Sequence, residues 1–254
     1  MTRIDRRRFV AGAGLAVGGL ALPRFAIGQA DDRPTITIAV QQVATSASLE
    51  VVRERSNVGE RVQMPIFENL IARNLKSKLE PIPGLAESWK RIDERTVELA
   101  LRKGVKFHNG DELTSEDVVF TFGPERMFGM DYDSNSTKTL FTTVMARDSI
   151  EGKKLPAEVV GIAKRTWPSL EKVEAVDKYT VRFVNRVPDV TMEGRIASGA
   201  SEIISKRGFQ EAKTWIEWAR KPIATGPYKV REFKPDESLI LDAHDDYWGG
   251  RPPQ

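Results

Sequence analysis

A chain of 254 residues that is 40% hydrophobic and 30% charged can bury a core without covalent staples. It holds no cysteine, which excludes thiolate chemistry, disulfides, cysteine-ligated zinc, iron–sulfur clusters and a lipid-modified N-terminal cysteine. The formal charge of +3 would favour nucleic acid only if the basic residues formed a face, and five of the 39 sit within the first 24 residues instead.

Residues 1–30 read as an export signal. Arg6, Arg7 and Arg8 precede Phe9 and Val10, an apolar run from Ala11 to Leu22 is loosened by glycines, and Gly28-Gln29-Ala30 offers small residues for signal peptidase. The run is shorter than the roughly 20 apolar residues a membrane span needs. Arg6-Arg7-x-Phe9-Val10 resembles a twin-arginine signal, with Asp5 and Ala11 departing from that pattern. The alternative is an ordinary secretory signal rich in arginine. Gly12-x-Gly14-x-x-x-Gly18 follows no strand, so it is no dinucleotide loop. Removing this segment leaves 34 basic and 35 acidic side chains, and no nucleic-acid partner is expected.

The remainder reads as mixed α and β. Thr35 to Val40 alternates as a strand, and Val58, Val62, Ile66, Phe67, Leu70 and Ile71 recur at helical spacing across Asn57–Ile71, with a kink at Pro65. Val97, Leu99 and Leu101 mark a half-buried strand, Asn109-Gly110 a tight turn, and Thr114 with Asp117 the start of a helix that buries Val118, Val119, Phe120 and Phe122. A less regular stretch from Gly123 to Pro168 reads as polar, glycine-rich loops. Leu170–Val176 and Tyr179–Val184 then form a hairpin about Asp177-Lys178. One helix carrying Phe209, Trp215 and Trp218 precedes Pro222, and strands Tyr228–Phe233 and Ser238–Ala243 flank a turn at Lys234-Pro235-Asp236.

Four stretches, in order, carry a resemblance: GLAESW (84–89), GVKFHNGDELTSEDVVF (104–120), ATGPYKV (224–230) and DYWGGRP (246–252). From about Thr35 to its last residue the chain resembles the extracellular solute-binding proteins, family 5, which serve oligopeptide, dipeptide and nickel importers. Ala224, where that family usually has glycine, and the Gly123–Glu125 interruption after the capped helix depart from its pattern. The resemblance implies an α/β (mixed α+β) clamshell of the periplasmic-binding-protein kind. Residues 31–59 and 187–254 would form an incomplete first lobe and 60–186 an accessory domain on it, with the second lobe missing.

What the resemblance implies about function is capture, not catalysis: a periplasmic, soluble, non-lipidated receptor that closes on a solute and is recognised by ABC permease subunits in the inner membrane. Twin-arginine translocase and signal peptidase would be its export partners, and no cofactor or metal is implied. It points to Gln41, Gln42 and Val43, in the loop after the first strand, and to Tyr132 in the accessory domain as ligand contacts. Peptide is the expected solute class, and nickel fits less well because two scattered histidines offer no chelating set.

Two other classes remain: a secreted enzyme carried by the twin-arginine route, and a shortened receptor that only docks to a permease or chemoreceptor. No Gly-x-Ser-x-Gly elbow or P-loop supports an enzyme. His244-Asp245-Asp246 sits at a strand end, where consecutive side chains point to opposite faces and do not converge on one ion.

Overall fold

The computed structural model describes residues 34–40, 42–44, 48–128 and 157–252. Among them, every strand pairing is antiparallel, and helices and strands alternate irregularly, giving a mixed α and β fold.

The first expected strand does not form. Residues 34–40 make no regular element, and Ile36, Ile38 and Val40 are 66%, 76% and 46% exposed. Their alternation suits a half-buried strand, but no described strand runs alongside to take the backbone hydrogen bonds. Helix α1, Asn57–Gln63, is also shorter than expected. It starts at Ser56, whose hydroxyl accepts the Gly59 N–H, and it closes at Met64, since Pro65 has no N–H to continue the helical ladder. Ile66, Phe67, Leu70 and Ile71 are fully or almost fully buried, yet they lie on the connection and strand that follow, not on a helix.

Strand β1 (Ile71–Arg73) pairs with β2 (Pro81–Pro83). The main sheet joins β3 (Ala86–Arg91), β4 (Thr96–Leu101), β5 (Leu170–Asp177) and β6 (Thr180–Asn185) in the order β3-β4-β6-β5. Val97, Leu99 and Leu101 point into the core from β4, and β5 and β6 form the expected hairpin. Gly110 has φ +88, as the Asn109-Gly110 turn requires.

Helix α2 is Ser115–Thr121. Asp117 accepts the N–H (3.0 Å) and hydroxyl (3.1 Å) of Thr114, fixing the first turn. Val118, Phe120 and Phe122 are buried, while Val119 is half-buried. A π-helical turn, Pro124–Phe128, continues from it. Helix α3, Ala157–Thr166, occupies part of the stretch read as loop. Below α2, Phe122 packs edge-on against Trp167 and Phe183 with centroids 5.1 and 4.9 Å away, joining helix and sheet.

Helix α4 (Met192–Ile196) is followed by α5 (Lys206–Glu211) and α6 (Trp215–Arg220). The single expected helix is two, because Ala212 is extended and Ser205 and Thr214 each cap a separate start. Phe209 from α5 meets Trp215 and Trp218 from α6 at 5.5 and 5.2 Å. Strands β7 (Tyr228–Lys234) and β8 (Ser238–Ala243) form the last hairpin, turning at Asp236 with φ +62.

Candidate functional site

The connection from Pro65 to Ile71 is where distant parts of the chain meet. Gly226 N–H donates to Ile66 O at 3.0 Å and Tyr228 N–H to Pro65 O at 3.0 Å. Gly84 N–H and Ala86 N–H both donate to Leu70 O, and Leu85 N–H to Asn69 O. A Cβ at Gly84 would stand 2.5 Å from Asn69 O, and one at Gly226 would stand 2.5 Å from the Ile66 carbonyl. Glycine at both positions is therefore a matter of close backbone approach.

The same connection anchors the end of the described chain. The half-buried carboxylate of Glu68 accepts the Tyr247 hydroxyl at 2.8 Å and the Trp248 indole N–H at 3.0 Å. Burial pushes Glu68 up, and those hydrogen bonds with the nearby Arg102 charge offset only part of that. Arg102 lies 4.6 Å over the Trp248 ring and donates to Gly84 O at 2.7 Å. Three of the four stretches singled out in the sequence thus close on one seven-residue connection, and the fourth, 104–120, joins them through His108 N–H, which donates to Ala224 O at 2.8 Å.

The two histidines belong to this junction. Ala224 N–H donates to His108 Nδ1 at 3.3 Å, so His108 Nε2 carries the proton and donates to Gly226 O at 3.0 Å. His244 Nδ1 donates to the same oxygen at 3.2 Å. Burial holds His108 down to about 3 and lowers His244 as well. Neutral and committed to one carbonyl, His244 buried and His108 half-buried, they are structural groups. Among the described residues no cluster of three or more histidine, aspartate and glutamate side chains could hold a metal.

A second polar cluster is buried deeper. Arg126, on the π-helical turn, is fully buried and donates to Glu50, which is 1% exposed. The other Glu50 oxygen accepts Val52 N–H at 3.1 Å and Arg53 N–H at 3.2 Å. The guanidinium sits 5.3 Å over the Trp215 ring. No spacing rule links residues 76 apart, so the sequence did not expose this pair.

The expected ligand contacts are not brought together among the described residues. Gln42 is half-buried and donates to Asp236 in the β7–β8 turn at 3.5 Å, and the Val43 side chain is buried in the core at 8% exposure. Gln41, Tyr132 and the export residues Arg6, Arg7 and Phe9 lie outside the described residues. An open groove of about 500 Å³ lies instead between α2 and β5, lined by Val119, Phe120, Pro124 and Val173. Its two lysines are already engaged, Lys206 with Glu116 and Lys172 with Glu174.

These features form, among the described residues, a scaffold in which distant segments are held together through backbone and buried polar contacts. In fold, the chain is similar to DppA, an ABC-transporter-associated periplasmic binding protein of Helicobacter pylori solved with the peptide STSA. The TM-score is 0.60 at 26% identity, covering 80% of this chain and 38% of that one. A family model, bacterial extracellular solute-binding proteins, family 5 middle, matches residues 80–254, and the chain belongs to that family. Its members bind solutes and are not enzymes. Curated relatives include the dipeptide-binding protein of Escherichia coli K12, 29% identical over 199 residues, covering 74% of this chain and 34% of the relative. Di/tripeptide-binding protein 2 of Pseudomonas aeruginosa UCBPP-PA14 is 26% identical over 243 residues, covering 92% and 42%. The chain therefore spans between a third and a half of the length of these relatives.

Proposed function

We propose that the chain belongs to the periplasmic solute-capturing component of an ABC importer, which takes peptides or related small solutes to a membrane permease. The observation that carries this reading is the junction on Pro65–Ile71: the four family stretches are present and all contribute to one packed arrangement. The naming of two relatives and one similar structure for peptides favours that solute class. Export by the twin-arginine route, through Arg6, Arg7 and Phe9, belongs to the same proposal.

Within it, residues 31–59 and 187–254 contribute to one lobe and 60–186 to an accessory domain. In support, β3, β4, β5 and β6 all fall within 86–185 and pair only with one another. The loop of Gln41, Gln42 and Val43, together with Tyr132, faces the solute. For Val43 the backbone is the contacting group, since its side chain is buried, and main-chain hydrogen bonds hold a peptide without reading its side chains.

Native mass spectrometry of the protein recovered from the periplasmic fraction of its own host tests the proposal. A mature chain beginning near Asp31 with a small peptide or other solute bound supports it. Retention in the cytoplasm with residues 1–30 intact, or turnover of a bound solute, would overturn it.

A further inference from the structure

The main sheet ends on β5, which pairs with β6 on one side only. Opposite residues of an antiparallel pair share a face, so Val173 and Ala175, across from Phe183 and Val181, belong to the face that covers the core. Phe183 and Val181 are fully buried there, whereas Val173 is half-buried and Ala175 is exposed. The face that Phe122 packs against at Phe183 thus continues one strand further. Over that last strand lies the groove of about 500 Å³, with Val119 and Phe120 of α2 and Pro124 of the π-helical turn on its far side.

The outer edge of β5 gives its backbone N–H and C=O groups to no described strand, and such a row is a template for another strand. Register shifts at Leu170/Lys172 and at Ala175/Asp177 leave Lys172–Ala175 as the uninterrupted run of β5. An added strand therefore pairs over about four residues, or about 13 Å. Lys172 on so short an edge works against growth of an extended sheet. A short segment whose alternate side chains drop into the groove fits this geometry better.

Charge narrows the occupant further. Of the five charged residues that line the groove, Lys206 is held by Glu116 at 3.0 Å and Lys172 by Glu174 at 2.6 Å. The other two, Glu125 and Glu171, have no ion-pair partner among the described residues. An apolar floor is thus left with two acidic groups over it.

We propose that the α2–β5 groove is a strand-addition site for a short, extended, basic segment of a partner protein. Its backbone pairs with Lys172–Ala175, an apolar side chain enters between Val119 and Val173, and Lys or Arg two residues to either side meet Glu125 and Glu171. The groove shares no residue with the loop of Gln41, Gln42 and Val43, so this site is independent of solute capture.

The test is titration of the nitrogen-15-labelled chain with an acetylated, amidated pentapeptide, Lys-Thr-Val-Thr-Lys, followed through amide shifts. Saturable shifts are expected at residues 119–125 and 171–175. Glutamate in place of both peptide lysines, or methylation of the peptide's backbone nitrogens, should weaken binding about tenfold. Glu171→Lys, at an exposed position, should weaken it by about fivefold to tenfold, and Glu125→Gln in the same direction. The peptide comparisons need no variant, so a fold lost in Glu171→Lys leaves them decisive. No saturable shift, equal affinity for the three peptides, or shifts confined to residues 42–44 would overturn the proposal. So would sedimentation of the unliganded chain as a dimer that Glu171→Lys dissociates, since the edge would then belong to a second copy.

Discussion

His108 and His244 meet edge to face, their ring centroids 5.1 Å apart at 87°, and both donate to the carbonyl of Gly226. Because that oxygen takes both N–H groups, each ring is fixed in tautomer as well as in place. His108 cannot take a second proton without breaking an existing contact, since its Nδ1 already accepts from Ala224 N–H.

The first prediction is that this pair makes the fold sensitive to acid. His108 stays unprotonated down to about pH 3 while the chain is folded, whereas an unfolded histidine takes its proton near 6.5. Its contribution is therefore present above 6.5 and declines as pH falls toward 3. Ring nitrogen shifts followed by NMR should show no His108 titration between pH 5 and 8. A midpoint near 6.5 would mean the ring is not held as described.

Glycine substitutions should separate two physical costs. Gly226→Ala puts a methyl 2.5 Å from the Ile66 backbone, so it forces the junction apart and should cost about 3 kcal/mol. Gly110→Ala meets nothing within 4 Å and bears only the cost of positive φ, about 1 kcal/mol. Urea midpoints measured at constant m-value give the order, and the reverse ranking would contradict the packing at Pro65–Ile71.

Arg126 and Glu50 should be strongly coupled. Arg126→Met leaves a buried carboxylate without its cation and should cost about 3–5 kcal/mol, while the double variant with Glu50→Leu should recover much of that loss. A double-mutant cycle in urea checks this. Additive losses would show that the pair is not an interacting buried unit.

Much of the fold could be read where pattern and turn chemistry agreed. The alternation of Val97, Leu99 and Leu101, the turn at Asn109-Gly110 and the Thr114–Asp117 cap each predicted what forms, as did both hairpins. Reading went wrong where a local pattern depends on a neighbour. Thr35–Val40 has strand periodicity but no described partner, and Ile66, Phe67, Leu70 and Ile71 have helical spacing although Pro65 follows the helix end and the Ile66 and Leu70 carbonyls bond to other segments. Helix α3, AEVVGIAKRT, is rich in β-branched residues and carries Gly161, which weaken its intrinsic signal; packing of Val159, Val160 and Ala163 at 0% exposure supplies what propensity lacks. Of the candidate contacts, Gln42 and Val43 came from resemblance alone. The Glu50–Arg126 pair had no periodic signature at all.

The junction at Pro65–Ile71 also sets a timetable. Trp248 reaches Glu68 across 180 residues, and Gly226 reaches Ile66 only slightly sooner along the chain. At about 5–20 residues per second, a ribosome takes roughly ten to forty seconds between making the first and the last of these groups. For most of that interval the partners of Ile66 and Glu68 have not yet been synthesised, although those of Leu70 and Ile71 follow within 16 residues. Codon changes that slow translation before residue 248 should lengthen that exposure and raise aggregation without altering a single contact in the finished protein.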